Sequence, residues 1–400
     1  MSITVNQGVA SLLPAYNDAV YVLQSTNVAQ PNFKFVVDYY VAGVKVDRQL
    51  IPPHPTTSKG YVNIAPILES RVSKDIDTSD NRILPNTNSN LEYVMKFGEA
   101  YGTTGTNIYP DLHVTGTKTL WNGIFDYEDF IDYSSGDYIC STSTPAQFLT
   151  NKPSSGDILI DDRAWLYWID LNLECQYAYI VTRDSTGMTL NTFKVDNKFL
   201  TTKFLRIPSG CANLNTIPNS QFTLGSQPVI LGSEDSYSIQ LFDISNNAIS
   251  DRYYYTIVNN CQPFEKRRLV FFNKLGGYDF FDFTLASKEN ADIERSIYKK
   301  NLGTVGTSTF RYSKNDRGYS QFHTRIKDKI SIQSDWVSES VYAWLEELLT
   351  SPDVYLDDGT YLIPINITNS TYEKKKQVND KIFNLTLEYT LSYDRYRQRL

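Results

Sequence analysis

The sequence has little sulfur, little histidine and no long apolar run, and each shortage removes a class of function. The four cysteines, Cys140, Cys175, Cys211 and Cys261, lie far apart with no CxxC pair. That spacing argues against a structural zinc module and fits buried, unbridged thiols in a chain made in a reducing cytoplasm. Only three histidines occur, His54, His113 and His323. None belongs to an HExxH pair or stands beside another, so each reads as an ordinary surface or packed side chain rather than a metal ligand. No stretch is long and apolar enough to span a bilayer. The start, Met1-Ser-Ile-Thr-Val-Asn, lacks the cationic-then-apolar order of a signal peptide. Neither a membrane anchor nor a secretory leader is therefore expected. The chain also has no GxSxG elbow, P-loop or dinucleotide fingerprint, so no catalytic residue, cofactor or metal is expected. A formal charge of −7 removes any broad basic field that would draw the whole protein to nucleic acid or anionic lipid.

What the chain has instead is aromatic residues, 29 Tyr and 20 Phe against 3 Met. Tyrosine suits pleated, half-buried surfaces and wet interfaces, because one end of the ring is apolar and the other carries a hydroxyl. Two readings follow: a β-rich protein, or a β-rich protein with a large area of subunit contact. At 400 residues, with 41% hydrophobic and 21% charged, two or three domains with separate cores are expected.

The apolar period is mostly two, the mark of strands. Val20–Leu23, Phe33–Val41, Gly60–Ile64 and Leu91–Phe97 read as strands, with a helical turn over Pro66–Ser70 and a loop over Gly98–Thr106. Ser134–Asp137 and Ser154–Asp157 read as matching turns. Trp165–Ile169 and Tyr177–Val181 read as paired core strands, and residues 191–260 as the short strands of a β-sandwich. Farther on, Arg268–Asn273 and Tyr278–Leu285 flank Lys274-Leu-Gly-Gly277, a hairpin. Asn290–Lys300 reads as a short helix. Ser338 is a natural N-cap for a helix over 338–350, with Glu339 in its first turn, Val341, Leu345 and Leu348 on one face, Trp344 and Leu349 widening it, and Pro352 as the stop. Val354–Leu356 and Thr360–Ile363 flank Asp357-Asp-Gly359, a second hairpin. In the closing strand Phe383, Leu385, Leu387, Tyr389 and Leu391 share one face, and Asn384, Thr386, Glu388 and Thr390 the other. One face is thus core, and the other meets solvent, a lumen or a neighbour.

Clustered carboxylates have bland readings. Asp75, Asp77 and Asp80 lack the glycine and distal Glu of a calcium loop. Asp279 and Asp282 sit among aromatics as in a carbohydrate cleft, but a spacing of three sends strand side chains to opposite faces. Asp161-Asp162 and Asp357-Asp358 are turn residues, and the sequons at Asn366, Asn369 and Asn384 are incidental. Two basic runs, Lys266–Arg268 and Lys374-Lys-Lys376, read as solvated faces, or as surfaces that dock an acidic partner or line a DNA channel.

Several elements in order resemble virion structural proteins of phages and prophages of Bacteroidota bacteria, including the crAss-like group. They are Ala15–Val22, Ser25–Asn27, Asn32–Phe35, Lys96–Gly102, Phe148–Asn151, Arg268–Asp279, Ser334–Val337, Trp344–Pro352 and Pro364–Lys376. The C-terminal layout also resembles the β-barrel of tail-tube, distal-tail and hub proteins. The resemblance implies a mainly β chain: an N-terminal β-sandwich over 1–160, a second over 161–265, and a tail-tube-like barrel with one flanking α-helix over 266–400. It implies a tail hub, baseplate or distal ring subunit, hexameric or trimeric, that docks other tail proteins and tail fibres. DNA would pass its lumen without specific binding, and the virion would assemble in the host cytoplasm. Trp336, Trp344, Lys374, Lys375, Lys376, Thr386 and Glu388 become the expected assembly residues. The alternative is a receptor- or glycan-binding β-sandwich, with Trp121 and Trp165 as candidate sugar platforms.

Overall fold

The computed structural model describes residues 2–74, 76, 82–103, 107–258, 263–369 and 382–397. The chain is mainly β and divides into two compact units, Met1–Asn259 with Asn273–Asp279, and Asn260–Phe272 with Phe280–Leu400. The second unit begins at 260, close to the boundary expected at 266, and the division has no counterpart to the boundary expected at 160.

In the first unit, a three-stranded sheet (Ile3–Gln7, Val20–Ser25, Gly60–Asn63) shares one core with a six-stranded sheet built around Lys34–Val41 and Asn90–Tyr101. Tyr21, Leu23, Phe35, Val37, Tyr93 and Phe97 fill the space between them, as alternation requires of two facing sheets. On the six-stranded sheet, Asp38 is buried and forms a two-pronged ion pair with the hairpin partner strand. Arg48 donates from Nε to Oδ1 at 2.6 Å and from its terminal nitrogen to Oδ2 at 2.5 Å, and Lys45 stands 3.5 Å away. Burial alone would push this carboxyl up, but the hydrogen bonds and charge of Arg48, with Lys45, outweigh it and hold the group below its ordinary value.

The unit's other six-stranded sheet is centred on Tyr177–Arg183 and Ser236–Phe242, and a three-stranded sheet combines Trp165–Ile169, Phe204–Pro208 and Leu84–Pro85. Tyr237 donates to the Ser209 carbonyl at 2.6 Å and Tyr255 to the Ser209 hydroxyl at 3.0 Å, tying the first of these sheets to the second. Three expectations are corrected here. Trp165–Ile169 and Tyr177–Arg183 are strands but not partners: the first pairs with Phe204–Pro208, the second with Thr189–Asp196 and Ser236–Phe242. Ser155–Ile158 is no turn but a strand, parallel to Tyr253–Ile257. The loop expected from Gly98 begins later, because the strand runs on to Tyr101, with a bulge between Phe97 and Glu99.

The hairpin of Arg267–Phe272 and Tyr278–Phe283 forms as expected, and its turn belongs to the first unit. Gly276 takes φ +84°, and a Cβ there would lie 2.4 Å from the Asn122 carbonyl oxygen, so only glycine fits. Asn273 organises the turn, accepting from Leu275 N at 3.0 Å and Gly277 N at 2.9 Å while donating to the Leu149 carbonyl at 2.9 Å.

The second unit is one eight-stranded sheet with two short helices. Its order runs from Tyr278–Phe283 through Arg267–Phe272, Val354–Asp357, Leu362–Ile367, Thr386–Leu391 and Tyr319–Gln333 to Lys288–Lys299, with Arg395–Tyr396 added beside Tyr319–Gln333. The path is open, so the expected barrel is corrected to an open sheet among the described residues. The 338–350 helix is corrected to two, Glu339–Trp344 and Glu346–Thr350, hinged at Leu345. Ser338 caps the first, accepting from Val341 N at 3.4 Å. Trp344, Leu345 and Leu348 are buried against Leu269, Phe271, Ile330, Ile332, Leu387 and Tyr389, which all lie on one face of the sheet. The Trp344 ring sits 5.4 Å from Phe271 and 6.2 Å from Phe281. The Asp357-Asp-Gly turn holds as read: Asp358 Oδ1 accepts from Thr360 N and Tyr361 N.

Asn290–Lys300 is not a helix. Lys288–Lys299 is a 12-residue strand paired along its length with Tyr319–Gln333. Cross-strand pairing overrides a local preference that charged residues and an Ile293/Ile297 spacing of four made look helical.

Replacing Trp344 with alanine is expected to lower stability by about 3–5 kcal/mol, read as a drop in the denaturation midpoint of the full chain. Because the Asp38 pKa is depressed on folding, its stabilisation is full above the unfolded value of about 3.9 and is lost as pH falls through the folded value. The urea midpoint should therefore fall less steeply below about pH 4 in Asp38→Asn than in the wild type.

Candidate assembly surface

The face of the second unit's sheet opposite Trp344 carries the expected polar set. Thr386 is exposed, and Glu388 is half-exposed with its carboxylate 3.1 Å from Lys329 Nζ. Register places Ser331 opposite Glu388 and Gln333 opposite Thr386, so these side chains form one polar patch. Arg268 lies on the same face, buried and stacked over the Phe280 ring at 3.9 Å, with Asp282 at 3.1 Å and Asp357 at 3.7 Å. The Lys266–Arg268 run is thus no uniform solvated patch, since its third member is a buried ion-pair centre. Asp279 instead accepts from the Thr150 hydroxyl at 2.8 Å, so Asp279 and Asp282 are committed to different partners.

The two tryptophans expected at the interface separate. Trp336 is 62% exposed, and its backbone N–H donates to Asp335 at 2.7 Å. Trp344 is 4% exposed and is a core residue, which corrects its assignment to an assembly surface. The helix presents it inward because Leu345 and Leu348 bury the same side. Lys374, Lys375 and Lys376 lie outside the described residues, as do Asp75, Asp77 and Asp80.

The largest feature that sequence reasoning missed is the hairpin of Lys288–Lys299 and Tyr319–Gln333. Every residue of its first strand is exposed. The second strand pairs with the rest of the sheet at 325–326 and 329–333, so the outer part, about 295–324, is a two-stranded arm. Twelve residues of strand reach about 40 Å. Thr304–Val305 and Phe310–Arg311 form a small hairpin at its end. The arm exposes Ile297, Tyr298, Leu302, Val305, Phe310, Tyr312, Tyr319 and Phe322, and a shallow groove of about 440 Å³ lies between Ser296, Ile297, Tyr298 and Phe322. The missed signal was the matching pair of long runs without proline, separated by Gly303, Gly306 and Gly318.

In the first unit, Trp121 and Trp165 are buried, at 1% and 7% exposed, and cannot serve as sugar platforms. A cleft of about 340 Å³ is lined instead by Asp126, Asp129, Asp132, Asp137, Tyr133 and Tyr138. Burial first, then the charges of Asp137 and Asp129, pushes the Tyr138 phenol up to about 12, so it stays neutral at pH 7. The two phenol rings are stacked, 6.2 Å apart with an interplanar angle of 17°.

The histidines sit in separate aromatic contacts, His54 with Tyr61, His113 with Phe97 and His323 with Tyr396. No group of three or more His, Cys, Asp or Glu able to hold a metal occurs among the described residues. Cys140, Cys175 and Cys211 are buried free thiols, and Cys261 is outside the described residues. No helix among the described residues is long and apolar enough to cross a membrane.

Neither a protein-family model nor a curated protein matches the chain. Among solved structures it is similar to dimeric latent PorU from Porphyromonas gingivalis, at 11% identity and a TM-score of 0.20, over 83% of this chain and 32% of that one. The chain spans about a third of that protein, and so slight a likeness carries no argument.

Trp336→Ala is expected to leave the melting temperature within about 1 °C of wild type, since an exposed side chain away from structural features contributes little. If this ring is an assembly contact, the same variant weakens self-association in sedimentation velocity.

Proposed function

We propose that this chain is a structural subunit of a bacteriophage tail, part of a hub, baseplate or distal ring, that self-assembles and docks other tail proteins or fibres rather than catalysing a reaction. The observation that carries the reading is the second unit's open sheet. One face is sealed by Trp344, Leu345 and Leu348, the other is polar, and the edge strand Lys288–Lys299 runs out as an arm exposing eight large apolar side chains. An edge and a patch of this kind are liabilities in a lone monomer and become contacts in an assembly. The ordered elements from Ala15 to Lys376 that resemble Bacteroidota phage virion proteins support the same reading. A polar sheet face carrying Thr386, Glu388, Ser331 and Gln333 would also meet passing DNA without holding it, because Glu388 neutralises Lys329 and leaves no free cation among the described residues of the patch for phosphate to grip.

The glycan-binding alternative has one observation in its favour, the first unit's cleft. Its aspartates can accept from sugar hydroxyls and its stacked phenols offer a ring face, chemistry that Trp121 and Trp165 are too buried to supply.

Electron microscopy of the purified full chain, with mass spectrometry of virions, tests the leading reading. Ring-shaped or stacked oligomers and a tail location are expected. A stable monomer absent from particles would overturn it. Saturable glycan binding abolished by Asp132→Asn would move the assignment to the alternative.

A further inference from the structure

The arm's charge is as distinctive as its exposure. Between 295 and 319 stand six cations, Arg295, Lys299, Lys300, Arg311, Lys314 and Arg317, against the single carboxylate Asp316. That is a net +5 on a chain of −7, which leaves −12 on the remainder. Val305 is 80% exposed and Tyr312 77%, so apolar and cationic groups share the same outer surface. Nearer the sheet the character changes: Lys288 is followed by three carboxylates, Glu289, Asp292 and Glu294, and charged side chains along an exposed edge discourage strand-to-strand pairing.

We propose that the arm tip docks on the acidic surface of a second copy of this chain. This rests on the self-assembly reading and names its contact. Two observations select the occupant. First, the signs match: a +5 tip is attracted by the −12 remainder of a sister molecule, whereas two tips repel each other, so the contact is head-to-tail rather than arm-to-arm. Second, aliphatic Ile297, Leu302 and Val305 stand beside the aromatics, and the groove at Ile297, Tyr298 and Phe322 suits an inserted protein side chain. Base stacking on single-stranded nucleic acid would use the rings and cations but would leave these aliphatics in water.

Sedimentation velocity on the full chain over a range of protein and salt concentrations tests this. Wild type is expected to associate at low ionic strength and to dissociate progressively toward about 0.5 M salt. Arg311→Glu with Lys314→Glu and Arg317→Glu should weaken association at least about a hundredfold, with unchanged melting. Val305→Asp with Tyr312→Asp should do the same through the apolar part, and both sets change only exposed side chains. If these variants associate as wild type does, the arm proposal is overturned while self-assembly stands. If wild type is monomeric throughout and missing from virions, both fall. Arm-dependent retardation of a single-stranded oligonucleotide, with no self-association, would assign the tip to nucleic acid and also overturn the proposal.

Discussion

The burial of Trp344 against Phe271 and Phe281 decides the character of the second unit. Once that ring, with Leu345 and Leu348, covers one face of the sheet, the two-residue period of every strand sends its alternate side chains to the other. Tyr389 and Leu387 are drawn in, and Glu388 and Thr386 are turned out. Lys329 and Ser331 follow because register seats them beside Glu388. A slip of one residue in the closing strand would put the Glu388 carboxylate under the helix and Tyr389 in water, so the helix fixes register as well as stability. Arg268 shows what the opposite face must manage: a guanidinium that is buried there is tolerable because Asp282, Asp357 and the Phe280 ring surround it.

The edge of that sheet resolves two opposed demands. A strand with a free edge invites indiscriminate pairing, and the charged side chains of Lys288, Glu289, Asp292 and Glu294 blunt it. Farther out Asp316 is the single carboxylate, apolar groups appear, and positive charge accumulates. The transition falls near Arg295, close to where the second strand loses its sheet partners at Arg325. Specificity of this sort depends on keeping one part of a strand unattractive and another attractive.

Much of this was legible from residues alone. Ser338 as N-cap, the Asp357-Asp-Gly turn and the glycine turn at Gly276 are local devices, and each stands where its side-chain chemistry demands. The faces of Phe383–Leu391 were legible for the same reason, although a break at Asn384–Leu385 splits the strand, where Ser334 Oγ accepts from the Leu385 N–H at 2.8 Å. Partnership was not legible. Trp165–Ile169 and Tyr177–Arg183 are neighbours in sequence, yet they lie in different sheets, the first paired with a strand about 40 residues on and the second with Thr189–Asp196 and a strand about 60 residues on. The arm was hidden because an all-exposed strand has no apolar alternation to announce it. Trp344 was legible as part of the helix's apolar face, yet the resemblance also set it with Trp336 as an assembly contact, and only the packing of the helix separates the core ring from the surface one.

The turn Asn273–Asp279 completes the first unit although it is encoded after the second has begun. Lys274 reaches back to Asp126, its carbonyl accepts from Ile124 N, and Asn273 holds the Leu149 carbonyl. A nascent chain emerging from a ribosome therefore cannot close its N-terminal body when residue 259 is out; it must wait for about twenty more. Cutting the gene after the N-terminal sandwiches would leave a body missing its last piece.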